Sequence, residues 1–244
     1  AAVSGGTVDA LAEQLVAGAD SVGDVLVICG STLITWVVAD GWPERDGLWT
    51  VPHTSGHAAV GGPSNAGGLF LERVRHLVGD HDLDAVTPDR VPVWVPHIRG
   101  ERVPFHDRDR RASLHDLDVG HQPADVLQAG YEASAFAVRL ILELAEVPVE
   151  RIVATGGGTQ VDAWMQALAD ATGRGVDVAG VPEGAALGAA YLARVTAGVE
   201  PDSSTAGRWA RTGRHVEPRP DWTEACDQRF HRFRQLTEGV PEVR

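Results

Sequence analysis

The sequence predicts an α/β layered domain, and three of its features carry that expectation. Residues 151–195 alternate strand, glycine loop, helix, strand and helix, the order of a sheet covered by helices. The run Asp24-Val25-Leu26-Val27-Ile28-Cys29 has the length and β-branching of a buried strand. Residues Ala124 to Leu144 place Val126, Leu127, Ala133, Phe136, Ala137, Leu140, Ile141 and Leu144 at helical spacing.

Taken in chain order, Val8 to Ala17 has a helical period, with Leu11, Leu15 and Val16 on one side. After the strand 24–29, Gly30-Ser31-Thr32 turns the chain into a second apolar run, Leu33 to Val38, so the pair reads as a β-hairpin. Further short strands are expected near Leu48–Pro52 and Ala58–Gly61. A helix is then expected to open at Ser64-Asn65-Ala66-Gly67-Gly68 and run through His76, with Ser64 or Asn65 as its cap. Residues 79–122 are rich in Pro, Asp, Arg and His and read as a long irregular region, with one strand-like piece at Val93-Trp94-Val95. The long helix 124–144 follows. Arg151–Thr155 is the next strand, Gly156-Gly157-Gly158 its loop, Val161–Ala171 a helix, Gly175–Ala179 a strand and Glu183–Val195 the last core helix. From Gly198 the chain is Pro- and Arg-rich and closes with an amphipathic piece near Trp222–Leu236. The expected division is a domain over 1–198 and a tail with a short helix over 199–244.

Composition narrows the function classes. Apolar residues make up 43% and charged residues 23% of 244, ordinary values for a soluble globular protein. The balance of 21 Lys plus Arg against 34 Asp plus Glu gives a net charge of −13, which disfavours nucleic acid, whose phosphates need a basic face. No apolar run approaches the ~20 residues that cross a bilayer. Cys29 and Cys226 are too few for a disulfide framework and fit a reducing, cytoplasmic setting. The chain begins at Ala1 and enters a Gly-rich turn within a few residues, so a fragment of a longer protein is expected. His53 and His57 have the spacing of a zinc pair, but Gly56 and Thr54-Ser55 between them argue for a loop without a third ligand.

The chemistry lies in the glycine segments. Three glycines after a buried strand let a ligand approach the backbone and put free N–H groups at a helix start, where negative charge is favoured. A tight β–α turn would explain three glycines as well; the spacing across "ATGGGTQVDAWMQALADATGRGV…PEGAALGAAYLA", residues 154–193, is more specific. It has neither the Gly-Lys-Ser/Thr of a Walker A loop nor the spacing of a dinucleotide fingerprint. It resembles the adenosine-binding segment of the FGGY carbohydrate kinases, "GGGxxxxxWxQxxAdxxgxpV…EgaALGAA". The opening "VSGGTVDALAEQLVAGA…GDVLVICGSTLITWVV" resembles the same family. There Asp9 matches the carboxylate that takes the proton from the sugar hydroxyl, and Gly30, Ser31 and Thr32 match the hairpin turn that cradles phosphates. In "GGPSNAGGLFLERVR", Gly67 matches a helix-start contact to nucleotide. "GERVPFHDRDRR" and "LDVGHQPADVLQAGYEASAFAVR" match a charged loop and a long helix of the family.

The resemblance implies the actin-like, ribonuclease H-like ATPase fold, a mixed central sheet with helices on both faces. It further implies an ATP-dependent sugar kinase, most like the xylulose kinases, represented by its C-terminal half. Asp9 would be the general base; Gly30, Ser31, Thr32, Gly67, Gly156, Gly157 and Gly158 would hold ATP. Mg²⁺ would accompany the nucleotide, with no metal ligand assigned in this chain. Expected partners are a small sugar, a missing N-terminal domain bearing an Asp-x-Gly-Thr loop and, as assembly, a homodimer. Nucleic acid and membranes are not expected partners. The rival reading is a silent nucleotide-binding or regulatory module; an actin-fold ATPase of the sugar-repressor or activase kind is a third. The sequence departs from the usual family residues in the turn, which reads Gly-Ser-Thr, at Leu71 and Glu72, which replace Gln and Trp, and at Val161, which replaces Ser or Asn.

Overall fold

The computed structural model describes Val3, Gly5 to Val181 and Glu183 to Glu238. Ser4 and Pro182, which belong to two of the segments above, lie outside the described residues. In chain order the elements are α1 (Asp9–Ala17), β1 (Asp24–Cys29), β2 (Leu33–Ala39), β3 (Trp49–Pro52), β4 (Ala58–Ser64) and α2 (Gly68–Val78). There follow β5 (Val93–Val95), β6 (Ser113–His115), α3 (Pro123–Ala145), β7 (Arg151–Thr155) and α4 (Asp162–Thr172). The chain then forms β8 (Val176–Ala179), α5 (Gly184–Thr196), β9 (Thr212–Val216) and α6 (Pro220–Glu238).

Seven strands form one mixed sheet in the order β3-β4-β2-β1-β7-β8-β9. The hairpin expected at 24–38 is present, with Cys29 opposite Leu33. On its other side β1 runs parallel to β7, with Asp24 opposite Arg151 and Ile28 opposite Thr155. Parallel neighbours end at the same sheet edge, so the Gly30-Ser31-Thr32 turn and the Gly156-Gly157-Gly158 loop leave the sheet side by side. Strand β1 is buried on both faces. Val25, Val27 and Cys29 join the larger core, shared with residues of α2, α3, α4 and α6. Leu26 and Ile28 face the opposite layer, where Ala17 of α1 packs. Helices therefore cover both faces, as the α/β expectation requires.

Two expectations need correction. Strand β4 runs to Ser64, so neither Ser64 nor Asn65 caps α2, whose cap residue is Gly67. The strand expected near Ala58–Gly61 continues through Gly62 and Pro63, and a Cβ at Gly61 would lie 2.0 Å from the Thr35 carbonyl oxygen. Glycine thus lets the β2–β4 ladder continue. The segment after 198 is also more than a tail: β9 pairs with β8, and α6 sends Cys226, Phe230 and Phe233 into the main core. Phe136 of α3 lies 5.6 Å from the rings of both Phe230 and Phe233. Both cysteines are free and buried, and burial raises both thiol pKa values.

Candidate functional site

A cleft of about 810 Å³ opens at the shared edge of β1 and β7. Gly30 and Ser31 form one wall, Gly68 and Leu69 continue it, and Gly157 and Gly158 face them across the opening. The first wall is tightly built. The Gly30 N–H donates to the Thr32 carbonyl at 3.0 Å, closing the turn. The Gly68 N–H donates to the Gly30 carbonyl at 2.8 Å and the Leu69 N–H to the Ser31 carbonyl at 3.0 Å. Turn and helix start are therefore one hydrogen-bonded unit. Gly67 serves that unit from behind, since a Cβ there would lie 2.4 Å from the Thr32 carbonyl carbon. Gly68 and Leu69, not Gly67 or Thr32, line the cleft. Ser31 is exposed.

The three glycines of the opposite wall have separate jobs. Gly156 has φ +88°, and a Cβ would lie 2.8 Å from the Cys29 carbonyl oxygen. At Gly158 a Cβ would lie 2.2 Å from the Trp164 ring, which is held by its indole N–H donating to Ser134 Oγ at 2.9 Å. Both are glycine for reasons of folding. A Cβ at Gly157 would meet nothing within 4 Å. The protein's own packing leaves this position free for a side chain, yet it is glycine and borders the cleft.

The rest of the cleft lining is Leu71, Glu72, Arg75 and His76 of α2, Asp80, Tyr131, Val161 and Trp164; of these only His76 and Asp80 fall outside the segments quoted above. Arg75 Nε donates to Asp80 Oδ1 at 2.7 Å, and this bond holds the Asp80 carboxyl below the usual carboxylate range. Burial pushes the Tyr131 phenol up. The three differences at Leu71, Glu72 and Val161 all face this space.

Asp9 opens α1, is exposed, and accepts the Ala10 N–H at 2.8 Å. It does not line the cleft. Glu13, one turn further on, is buried; that burial raises its pKa, the Thr155 hydroxyl partly offsets this, and the Asp9 charge adds to it. Glu13 in turn acts on Cys29. Thr155 ends β7 and Cys29 ends β1, so Glu13, which lies beside Thr155, belongs to the edge from which both glycine loops emerge. Glu13 carried no signal in the sequence, because a glutamate on a helix is usually solvated. Among the described residues no group of three or more His, Cys, Asp or Glu could hold a metal ion, and no helix is long and apolar enough to cross a membrane.

Comparison with known proteins bears on this arrangement. The sequence profile of the FGGY family of carbohydrate kinases, C-terminal domain, matches residues 26–197. A probable L-xylulose kinase of Pasteurella multocida is 28% identical over 98% of this chain and 51% of its own length. The xylulose kinase of Streptomyces rubiginosus is 32% identical over 58% of this chain and 30% of its own length. Among solved structures, xylulose kinase from Rhodospirillum rubrum superimposes with a TM-score of 0.79 at 27% identity, covering 96% of this chain and 51% of that one. The chain spans about half the length of such full relatives.

Proposed function

The chain belongs to the FGGY family of carbohydrate kinases, whose C-terminal domain it carries, and from that premise we propose that it is the nucleotide-binding half of an ATP-dependent sugar kinase. The observation that supports this most is Gly157, a glycine bordering the cleft that no protein contact requires. A nucleoside laid there would meet bare backbone. Across the cleft, the exposed Ser31 hydroxyl is a donor for phosphate charge, whose stabilisation is the chief need of phosphoryl transfer. Gly156, Gly67 and Thr32 shape these two walls from behind, and Gly158 borders the cleft beside Gly157.

In the whole enzyme Asp9 accepts the proton of the sugar hydroxyl as that oxygen bonds to the γ-phosphorus and ADP leaves. Bound Mg²⁺ would neutralise phosphate charge; it commonly uses one or two carboxylates together with phosphate oxygens, so the chain needs no cage of its own. The relatives' names favour xylulose as the sugar. The other half of the enzyme would close over the cleft, and the chain alone cannot perform that closure. The second reading is a catalytically silent nucleotide-binding or regulatory module.

Calorimetric titration of ADP into the purified chain, with a coupled assay on xylulose and ATP, tests both readings. Measurable ADP binding with no turnover is expected. A chain that takes up no nucleotide removes the site, and robust turnover removes the need for a second domain.

A further inference from the structure

We propose that Glu101 is a positioning residue for this cleft, fixing the junction between β4 and α2 and, through it, the turn that meets the phosphates. The functional half of this inference rests on the nucleotide reading; the positioning half does not.

The side chain of Glu101 is 2% exposed and sits in the loop that follows β5. A carboxylate in such a place is costly unless donors surround it, and here four do. Its Oε1 accepts the Asn65 N–H at 2.9 Å and the Arg102 N–H at 2.7 Å. Its Oε2 accepts the Ser64 hydroxyl at 3.0 Å, with His97 Nδ1 at 3.1 Å. That number of donors fills the acceptor capacity of an ionised carboxyl. Ser64 Oγ in turn accepts the Ala66 N–H at 3.0 Å.

The placement of these bonds gives them meaning. Residues 65–67 run between a strand and a helix, where no ladder serves their amides. Glu101 satisfies the first amide directly and the second through Ser64. Asn65 Nδ2 returns the contact by donating to the Gly100 carbonyl at 2.9 Å, and the Val103 N–H donates to the Pro63 carbonyl at 3.1 Å. The next residues are Gly68 and Leu69, whose N–H groups hold the Gly30 and Ser31 carbonyls. A single buried carboxylate thus stands at one end of a short rigid span and the cleft wall at the other. An apolar residue of the same size would fill the space but leave four donors unanswered.

Glu101→Gln keeps the shape and one acceptor oxygen while turning an amide NH₂ toward donors. Amide hydrogen exchange on the ligand-free chain reads the junction locally. Exchange at Asn65, Ala66, Gly68 and Leu69 is expected to rise about tenfold, the scale of one hydrogen bond, with β7 and β8 unchanged. The ADP dissociation constant is expected to rise about tenfold as well. Glu200→Gln, which weakens the pairs of a buried carboxylate with Arg194 of α5 and Arg208, is the control. It is expected to lower Tm without moving either readout. Should the Gln variant not fold, Ser64→Ala removes the hydroxyl that bridges Glu101 to the Ala66 amide and is expected to raise exchange at Ala66 and Gly68.

Wild-type protection at Gly68 and Leu69 in folded Glu101→Gln, or at Ala66 and Gly68 in folded Ser64→Ala, overturns the positioning role. Faster exchange with unchanged ADP affinity overturns its link to the cleft. If the unaltered chain binds no ADP, the nucleotide reading fails, and the exchange result still decides whether Glu101 sets the junction.

Discussion

Arg229 of α6 grips Glu132 of α3 with two parallel bonds, Nε to Oε2 at 2.6 Å and Nη2 to Oε1 at 2.8 Å. The pair is buried, and a further Arg229 N–H reaches the Pro88 carbonyl. Burial works against the arginine charge, but Glu132 beside it more than compensates and raises the Arg229 pKa. Removing one partner of such a pair strands the other charge and typically costs about 3–5 kcal/mol. Glu132→Ala is therefore expected to lose stability on that scale in a urea titration, although Glu132 does not itself line the cleft. A loss below about 1 kcal/mol would show that water enters and replaces the carboxylate.

Gly157→Val is expected to fold with little change in Tm, because its side chain enters open space. It is also expected to weaken ADP binding at least about tenfold, since one misplaced contact worth about 1.4 kcal/mol suffices. Gly158→Val should behave oppositely, losing stability by about 1–3 kcal/mol through collision with Trp164. Calorimetry and thermal melts on both variants separate the two roles. Unchanged ADP affinity in folded Gly157→Val would leave that loop a turn and nothing more.

Asp9→Asn, in an enzyme that also contains the other half, is expected to depress kcat by about 10²–10⁴-fold. The sugar dissociation constant should stay within a few-fold. Asp9 is exposed and its own oxygen accepts only the neighbouring Ala10 N–H, a bond that the Asn side-chain oxygen can keep, so a folding defect is not expected. Near-normal kcat would return Asp9 to the status of a helix-start carboxylate.

Glu13 offers a test in pH. Its folded pKa is raised above 4.5, chiefly by burial. The folded chain therefore holds that proton more tightly than the unfolded chain. The stability this confers is complete below the unfolded pKa and disappears as pH rises through the folded value. Glu13→Gln mimics the protonated form, so it should melt higher than the unaltered protein at pH 8 and equally at pH 4. For a chain of this length a gain of about 1 kcal/mol corresponds to about 2–4 °C. A difference independent of pH would show that packing, not charge, sets the effect.

The hairpin and the glycine loop were legible because their signals are local. Val25 to Cys29 is buried on both faces, so its sequence is apolar throughout, and the turn at Gly30 follows immediately. What sequence could not show depends on distant partners. Ser64 looks like a helix cap until Glu101, 37 residues away, takes its hydroxyl. Strand β9 reads Thr-Gly-Arg-His-Val; as an edge strand it needs no apolar face, so no strand signal exists. Of the three glycines 156–158, sequence cannot say which one is free of the fold, because that is decided by Cys29 and Trp164. The family match ends at residue 197, while packing continues through α6.

That continuation has a practical meaning for anyone shortening the protein. A version ended at residue 198 would strip β9 from β8 and uncover the face of Phe136 that Phe230 and Phe233 now shield. A bare strand edge beside an uncovered aromatic patch invites pairing with other copies. Such a truncation would therefore be a sticky, self-associating species, and a well-behaved minimal unit has to keep the whole of α6.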